Sequence, residues 1–316
     1  MIRRIRARYS SFPEYQTLQT PIRYRIRHST HYEYSAPVAI CQNHLRMMPR
    51  SMKTLTTTVE CHESQVEISP SPSFRSEHVD YFGNRVLCFT IESLHQELTV
   101  TATSEVSVCQ HRKVEENTSL AWEKVRDDVA RGRDSRWLEA QEFVFDSPRI
   151  ARGADFAEFA QVSFLPGREV VEATRNLTRR IHSSFRYDVT ATDVNTSTDE
   201  ALALRAGVCQ DFAHVQIACL RSLGIPARYV SGYLRTAPPP GIARMVGADE
   251  SHAWVSVYCG SQLGWIDFDP TNNCVAETNH IPICVGRDYS EVSPMRGVVI
   301  GGGTTALSVH VDVDSI

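Results

Sequence analysis

Three residues in the second half of the chain have the types and settings that nucleophilic catalysis requires. Cys209 lies near the start of GVCQDFAHVQIACLRSLGIPARYVSGY, at the first turn of an apolar helical pattern. Unpaired backbone N–H groups and the positive end of the helix dipole stabilise a thiolate in such a place. The same N–H groups can stabilise the oxyanion of a carbonyl under attack. His252 opens the strand-like HAWVSVY directly after the polar ADES, so its ring sits at a strand end facing a connection. In GWIDFDPTN, Asp267 and Asp269 alternate with Phe268; both face one side of the next strand, and either could reach His252. Pro270 ends that strand and places Asp269 at the rim. A cysteine on a helix start, a histidine on a strand and an aspartate on its neighbour make a nucleophile, a base and an orienting acid. The chemistry of such a set is acyl transfer through a thioester. Cys209 by itself would read as a packed, structural sulfur; the base and the acid are what turn it into a candidate nucleophile.

The elements that must position these groups fall into three stretches. From Ile22 to about Cys109, RYRIRHSTHYEY, TLTTTVECHESQVEI and ELTVTATSEVSV alternate apolar or β-branched with polar residues. Ser69-Pro70-Ser71-Pro72 and Phe82-Gly83-Asn84 punctuate them, which predicts an antiparallel β-sandwich. His28, His31, Tyr32 and Tyr34 fall on one of its half-buried pleats. From Glu115 to about Arg152, helices bridge to the second half, with a break at Pro148. REVVEATRNLTRRIHSSF then carries Val170, Val171, Ala173, Leu177 and Ile181 at helical spacing. Ser197 and Glu200 form a capping-box pattern, and Gly207 suits the left-handed position that would stop the short helix they begin. The Cys209 helix is apolar nearly all round, hence central, and ends at Gly224 and Pro226. Strands ARYVSGYL, HAWVSVY and GWIDF follow, and ALSVHVDVDSI reads as a last strand that can return to a sheet. The expected division is a tail at 1–20, a β-rich domain at 21–112, a helical connector at 113–160, an α+β core at 161–290 and a C-terminal loop and strand at 291–316.

Composition excludes several classes. The 316 residues carry a net charge of −4 with 42% hydrophobic and 22% charged content, enough for an ordinary core and without the basic footprint of a nucleic-acid binder. Arg3, Arg4, Arg6 and Arg8 read as a solvated tail. No apolar segment follows them as in a secretory signal, and no run approaches about 18 apolar residues, so no membrane association is expected. The nine cysteines are scattered, odd in number and without a C-x-x-C pair, which fits reduced thiols in a cytoplasm. Cys61–His62 and Cys274 with Cys284 lack metal-ligand spacing; neither metal nor cofactor is expected. His214, one turn into the buried helix, reads as a hydrogen-bonded packing residue.

GVCQDFAHVQIACLRSLGIPARYVSGYL, SHAWVSVY and GWIDFDPTNN together resemble the transglutaminase-like superfamily, in its bacterial branch of predicted cysteine proteases. RIHSSFRYDV and VGRDYSEVSPMRGVVIGGG resemble the same branch, and the β-rich first third resembles its associated amino-terminal domain. The likeness spans most of Pro21 to Ile316. It implies a papain-like core, with the Cys-bearing helix packed on an antiparallel sheet. It also implies a triad of Cys209 as nucleophile, His252 as base and Asp269 as orienting acid, with Asp267 outside the triad. Tyr187 is the resemblance-based candidate for assisting the oxyanion, Trp254 for lining the substrate channel, and Gln210 and Asp211 for bracing the nucleophile's turn. The implied activity is hydrolysis of peptide or isopeptide bonds in a peptide or protein substrate. The alternatives are transfer of the acyl group to a primary amine, or a non-catalytic peptide-binding module. TAPPPGIARMVGADE, between nucleophile and base, is expected to form a lip of the cleft.

Overall fold

Alternating apolar residues make the first third a set of long strands. A computed structural model of the chain describes residues 20–114, 119–236 and 250–316. Residues 1–19 of the expected tail at 1–20 and most of the expected lip lie outside them. Strand β1 (Ile22–Leu45) runs unbroken for 24 residues and bends at an irregularity between Val38 and Ile40. With β2 (Met52–Lys53), β3 (Thr57–Ser69), β4 (Phe74–Val79), β5 (Arg85–Ile91) and β6 (His95–Gln110) it forms one sheet in the order β2-β3-β6-β1-β5-β4. The bend folds this single sheet on itself. Val38, Cys41 and Leu45 join Leu87, Phe89 and Ile91 from one limb, packed with Val66, Leu98, Val100 and Ala102 from the other. One bent sheet thus encloses the core that two separate sheets would enclose in a sandwich.

Helices α1 (Trp122–Ala130), α2 (Trp137–Gln141) and α3 (Ala154–Gln161) lead to the second half. Helix α4 (Val170–Ser184) buries Val170, Val171, Ala173, Leu177 and Ile181 on one face, as their spacing predicts. The two-residue strand β7 (Arg186–Tyr187) and helix α5 (Thr198–Leu204) follow, the latter begun by the Ser197–Glu200 capping box. Strand β8 (Ala206–Gly207) pairs in parallel with β7 and leads into α6 (Cys209–Ser222). Every α6 residue from Asp211 to Arg221 is buried, so the nucleophile candidate heads a fully enclosed helix. That helix packs on β9 (Ala227–Leu234) and β10 (Glu250–Tyr258) of a second antiparallel sheet. The sheet continues with β11 (Trp265–Asp269), β12 (Cys274–Val275) and β13 (His280–Gly286), in the order β12-β11-β10-β9-β13.

After the short helix α7 (Tyr289–Val292) the chain crosses back to the first sheet. Strand β14 (Met295–Gly301) pairs with the second limb of β1, and β15 (Thr305–Ser315) pairs with the first limb from Tyr24 to Tyr34. Tyr24, Ile26, Val106, Val108, Val311 and Val313 from this sheet share one apolar core with α4, α6 and the second sheet. Polar contacts fix the junction. The buried Asn84 side chain donates to the Val285 carbonyl at 2.8 Å and accepts the Val285 N–H at 2.9 Å. His28 Nδ1 and the Tyr233 hydroxyl share a buried hydrogen bond of 2.8 Å. Among the described residues, no helix is long and apolar enough to cross a membrane.

Candidate active site

The turn that presents Cys209 is built around a buried carboxylate. Helix α5 ends with Arg205 in the left-handed region, φ 49° and ψ 42°. The stop is therefore Arg205 and not Gly207, two residues before the expected position. Gly207 has a different task. Its φ is +150°, and a Cβ there would stand 2.3 Å from Asp211 Oδ2. Asp211 Oδ2 accepts the Val208 N–H at 2.8 Å and the Thr192 hydroxyl at 2.7 Å, capping the helix that Cys209 begins. Burial raises the Asp211 pKa against the pull of those bonds. Cys209 is half-buried; in its turn the Asp211 and Phe212 N–H groups donate to the Val208 carbonyl at 2.9 and 3.2 Å, which leaves those of Cys209 and Gln210 as the N–H groups a helix start does not pair internally. Cys219, in the same helix, is wholly buried, and burial pushes its thiol far above the ordinary value. The two sulfurs have different environments.

His252 lies on β10 opposite Gly232 of β9, where the absence of a side chain leaves room for the Trp254 ring. Its Nε2 donates to Asp269 Oδ2 at 2.8 Å, and Cys209 is its second side-chain hydrogen-bond partner, leaving Nδ1 for the thiol. Burial disfavours charge on the ring; the hydrogen bonds to Asp269 and Cys209 outweigh it and raise the pKa to about 10. Asp269, fully buried at the end of β11, accepts five hydrogen bonds. Oδ1 takes the backbone N–H groups of Thr271 and Asn272 at 2.9 and 3.1 Å. Oδ2 takes His252 Nε2, His280 Nε2 at 3.1 Å and Asn272 Nδ2 at 2.7 Å. Burial would raise this carboxyl, but the bonds from His252, His280 and Asn272 hold it well below the usual range.

The fold thus brings Cys209, His252 and Asp269 into one hydrogen-bonded chain, thiol to imidazole to carboxylate. Asp267 does not reach His252; it accepts the Trp254 indole N–H at 3.0 Å. Trp254 is fully buried among Val230 and Val285, so it packs behind the His252 ring and does not line an open channel. Tyr187 stands opposite Gly207 across the β7–β8 pair, 47% exposed, with its ring tilted against Phe212. Gln210 is half-buried in the first turn of α6. His214 is buried against Tyr229, accepts the Tyr289 N–H at Nε2 and has its pKa lowered by burial to about 3.

Sequence reasoning missed His280 and Asn272. Asn272 could have been found as a turn residue three positions after Asp269. His280 could not, because only the β11–β12 turn and the start of β13 bring it back to the carboxylate. Among the described residues, His252, Asp269 and His280 are also the group whose ligand atoms could converge on a metal ion. The imidazole–carboxylate distances of 2.8 and 3.1 Å are those of hydrogen bonds. Donor atoms around a tetrahedral zinc stand farther apart, at roughly 3.3 Å. Cys61 and His62 bond separately, to the Glu63 carbonyl and the Ser107 hydroxyl.

Comparison with known proteins places this arrangement in a family. Residues 24–107 match the bacterial transglutaminase-like N-terminal region, and residues 160–270 match the transglutaminase-like superfamily. The chain belongs to that superfamily. An uncharacterized protein of Mycobacterium tuberculosis is 38% identical over 300 residues, covering 92% of each chain. A protein-glutamine gamma-glutamyltransferase of Pseudomonas aeruginosa is 33% identical over 146 residues, which are 45% of this chain and 21% of that one. The fold matches the crystal structure of a candidate cysteine protease from Cytophaga hutchinsonii, with a TM-score of 0.71 at 21% identity over 94% of this chain and 92% of the other.

Proposed function

We propose that this chain is a cysteine peptidase or amidase that cleaves amide bonds in a peptide or protein through a thioester on Cys209. The observation that carries the reading is the unbroken hydrogen-bonded chain Asp269–His252–Cys209, set at the half-buried start of an otherwise buried helix. His252 Nδ1 accepts the thiol proton, and the sulfur attacks the amide carbon. The oxyanion that forms faces the Cys209 and Gln210 N–H groups at the start of α6. As the intermediate collapses, the imidazolium gives its proton to the departing amine and a thioester remains. Water, deprotonated by His252, attacks the thioester; the acid leaves and the Cys209 thiol is restored. Asp269 keeps the ring's Nε2–H bonded, so Nδ1 remains the nitrogen that serves the sulfur. Tyr187, exposed beside the nucleophile's turn, is assigned to the substrate's seat.

Transfer to an amine uses the same steps, with a lysine or other primary amine replacing water. The likeness to a gamma-glutamyltransferase favours that second reading. Hydrolysis is preferred because it needs no second substrate held at the thioester. Two measurements test the assignment. At neutral pH, iodoacetamide should alkylate Cys209 faster than the eight other thiols, and His252→Ala should abolish the difference. Equal rates at Cys209 and Cys219 would refute the enzyme reading. Incubation with a glutamine-containing protein and a fluorescent primary amine then separates the reactions: new termini support hydrolysis, and amine incorporation without them overturns it.

A further inference from the structure

We infer that His280 is a positioning residue for the base: it donates to the same Asp269 oxygen that holds His252, and so sets how tightly the charged ring is held. The inference rests on His252 being the base. Strand β9 has β10 on one side and β13 on the other, and these two neighbours bring His252 and His280 to one carboxylate. Trp254 fixes the second ring, edge-on at 5.3 Å between centroids. The Glu277 N–H donates to His280 Nδ1 at 3.4 Å, which leaves the proton on Nε2, the nitrogen aimed at Asp269. Both rings are buried, so water does not replace either bond.

A carboxylate oxygen shared by three donors offers less electron density to each. Asp269 therefore holds the His252 imidazolium less tightly than a carboxylate with one donor fewer. That matters for the second half of the reaction, in which the ring must give its proton to the departing amine. The depressed pKa of Asp269 includes the His280 bond among its causes. The other titratable and charged groups facing this pair are Cys209 on α6, Asp267 on β11, Cys274 on β12, Glu277 in the turn before β13, and Arg168, Glu172, Arg175, Arg179 and Arg235 around the neighbouring cleft. None of them changes in the variants below.

The test compares His280→Gln, whose amide nitrogen reaches the place of Nε2, with His280→Phe, which fills the space without a donor. Two readouts are taken in each: the NMR titration of the labelled His252 ring, assigned with His252→Gln, and the pH profile of Cys209 alkylation by iodoacetamide. In His280→Phe the His252 midpoint and the basic limb of the profile should rise by about one pH unit, a tenfold change in proton affinity. In His280→Gln both should stay within about 0.3 unit of the parent. An unchanged or lowered midpoint in His280→Phe, or an equal shift in both variants, would overturn the inference. If His280→Phe does not fold, His280→Asn, whose amide reaches only the Nδ1 position, carries the same prediction. If Cys209 proves no more reactive than the buried thiols, the enzyme reading falls, while the NMR titration still decides the role of His280.

Discussion

Replacing Asp269 by Asn tests the centre of the proposed mechanism, because it removes a charge while keeping the turn. The Asn oxygen can still accept the Thr271 and Asn272 N–H groups, so β11 should end as before. The rise of the His252 pKa from 6.5 to about 10 corresponds to roughly 5 kcal/mol in favour of the charged ring, at 1.36 kcal/mol per pH unit. Asp269 and Cys209 are the two sources of that preference, and the hydrogen bond to Asp269 is the larger. If the carboxylate supplies about half of it, the basic limb of Cys209 alkylation moves from near pH 10 to roughly pH 8 in Asp269→Asn. The sign follows from the raised pKa: the ring keeps its proton below the folded value and loses it above. With its oxygen on those N–H groups, the new amide presents its NH₂ to Nε2, which would leave the ring proton on Nδ1 and unable to accept from the thiol. Turnover should then fall on the order of 10³ to 10⁴, the scale seen when a triad aspartate becomes asparagine. Mass spectrometry of the Cys209 peptide after timed exposure to iodoacetamide, from pH 5 to pH 11, gives the profile. A basic limb in Asp269→Asn at the parent's position would refute the claim that this carboxylate holds the ring charged.

Two further outcomes follow from groups outside the triad. Gly207→Ala forces a Cβ to within 2.3 Å of Asp211 Oδ2 at φ +150°, so the cap must give way; a loss of about 2–4 kcal/mol in urea unfolding is expected, with slower alkylation of Cys209. A loss under about 0.5 kcal/mol would show that the turn does not depend on Asp211. His28 is buried neutral against Tyr233, its pKa lowered to about 4 by burial. Between pH 6.5 and 4 the unfolded chain therefore binds a proton that the folded chain refuses. Its stabilising share, present above pH 6.5, should be lost as the pH falls toward 4, by roughly 3 kcal/mol. In His28→Gln that part of the pH dependence should be absent from denaturant titrations.

Local chemistry was legible in the sequence and long-range pairing much less so. Ser197 with Glu200 foretells the start of α5, and the run from Phe212 to Leu220 foretells a buried helix, because both signals lie within a few residues. Arg205 was unforeseen: glycine is the commoner left-handed stop, and only the structure reveals that Gly207 is needed to pass Asp211. The alternation of Asp267 and Asp269 left two aspartates as possible partners for His252. What separates them is the Trp254 indole, which takes Asp267 from the neighbouring strand. His280 was invisible for the same reason, since strand adjacency in the order β10-β9-β13 leaves no periodic trace. The first sheet shows the limit in another way. Its strands alternate as expected, yet nothing local says that β1 continues for 24 residues and bends to build both limbs.

That same strand imposes an order of events on folding. The first limb of β1 pairs on one side with β6 and on the other with β15, made 271 to 291 residues later, from Tyr34 facing Thr305 to Tyr24 facing Ser315. During synthesis one edge of β1 therefore stays without its partner until nearly all of the described chain has emerged. Contacts of such sequence separation slow folding, and an unpaired edge is open to strands of other molecules. Arg23, Arg25 and Arg27 alternate along that limb with the buried Tyr24, Ile26 and His28. Charges so placed discourage pairing between chains while the edge waits. The arginines that decorate a finished surface are thus a safeguard for the unfinished one.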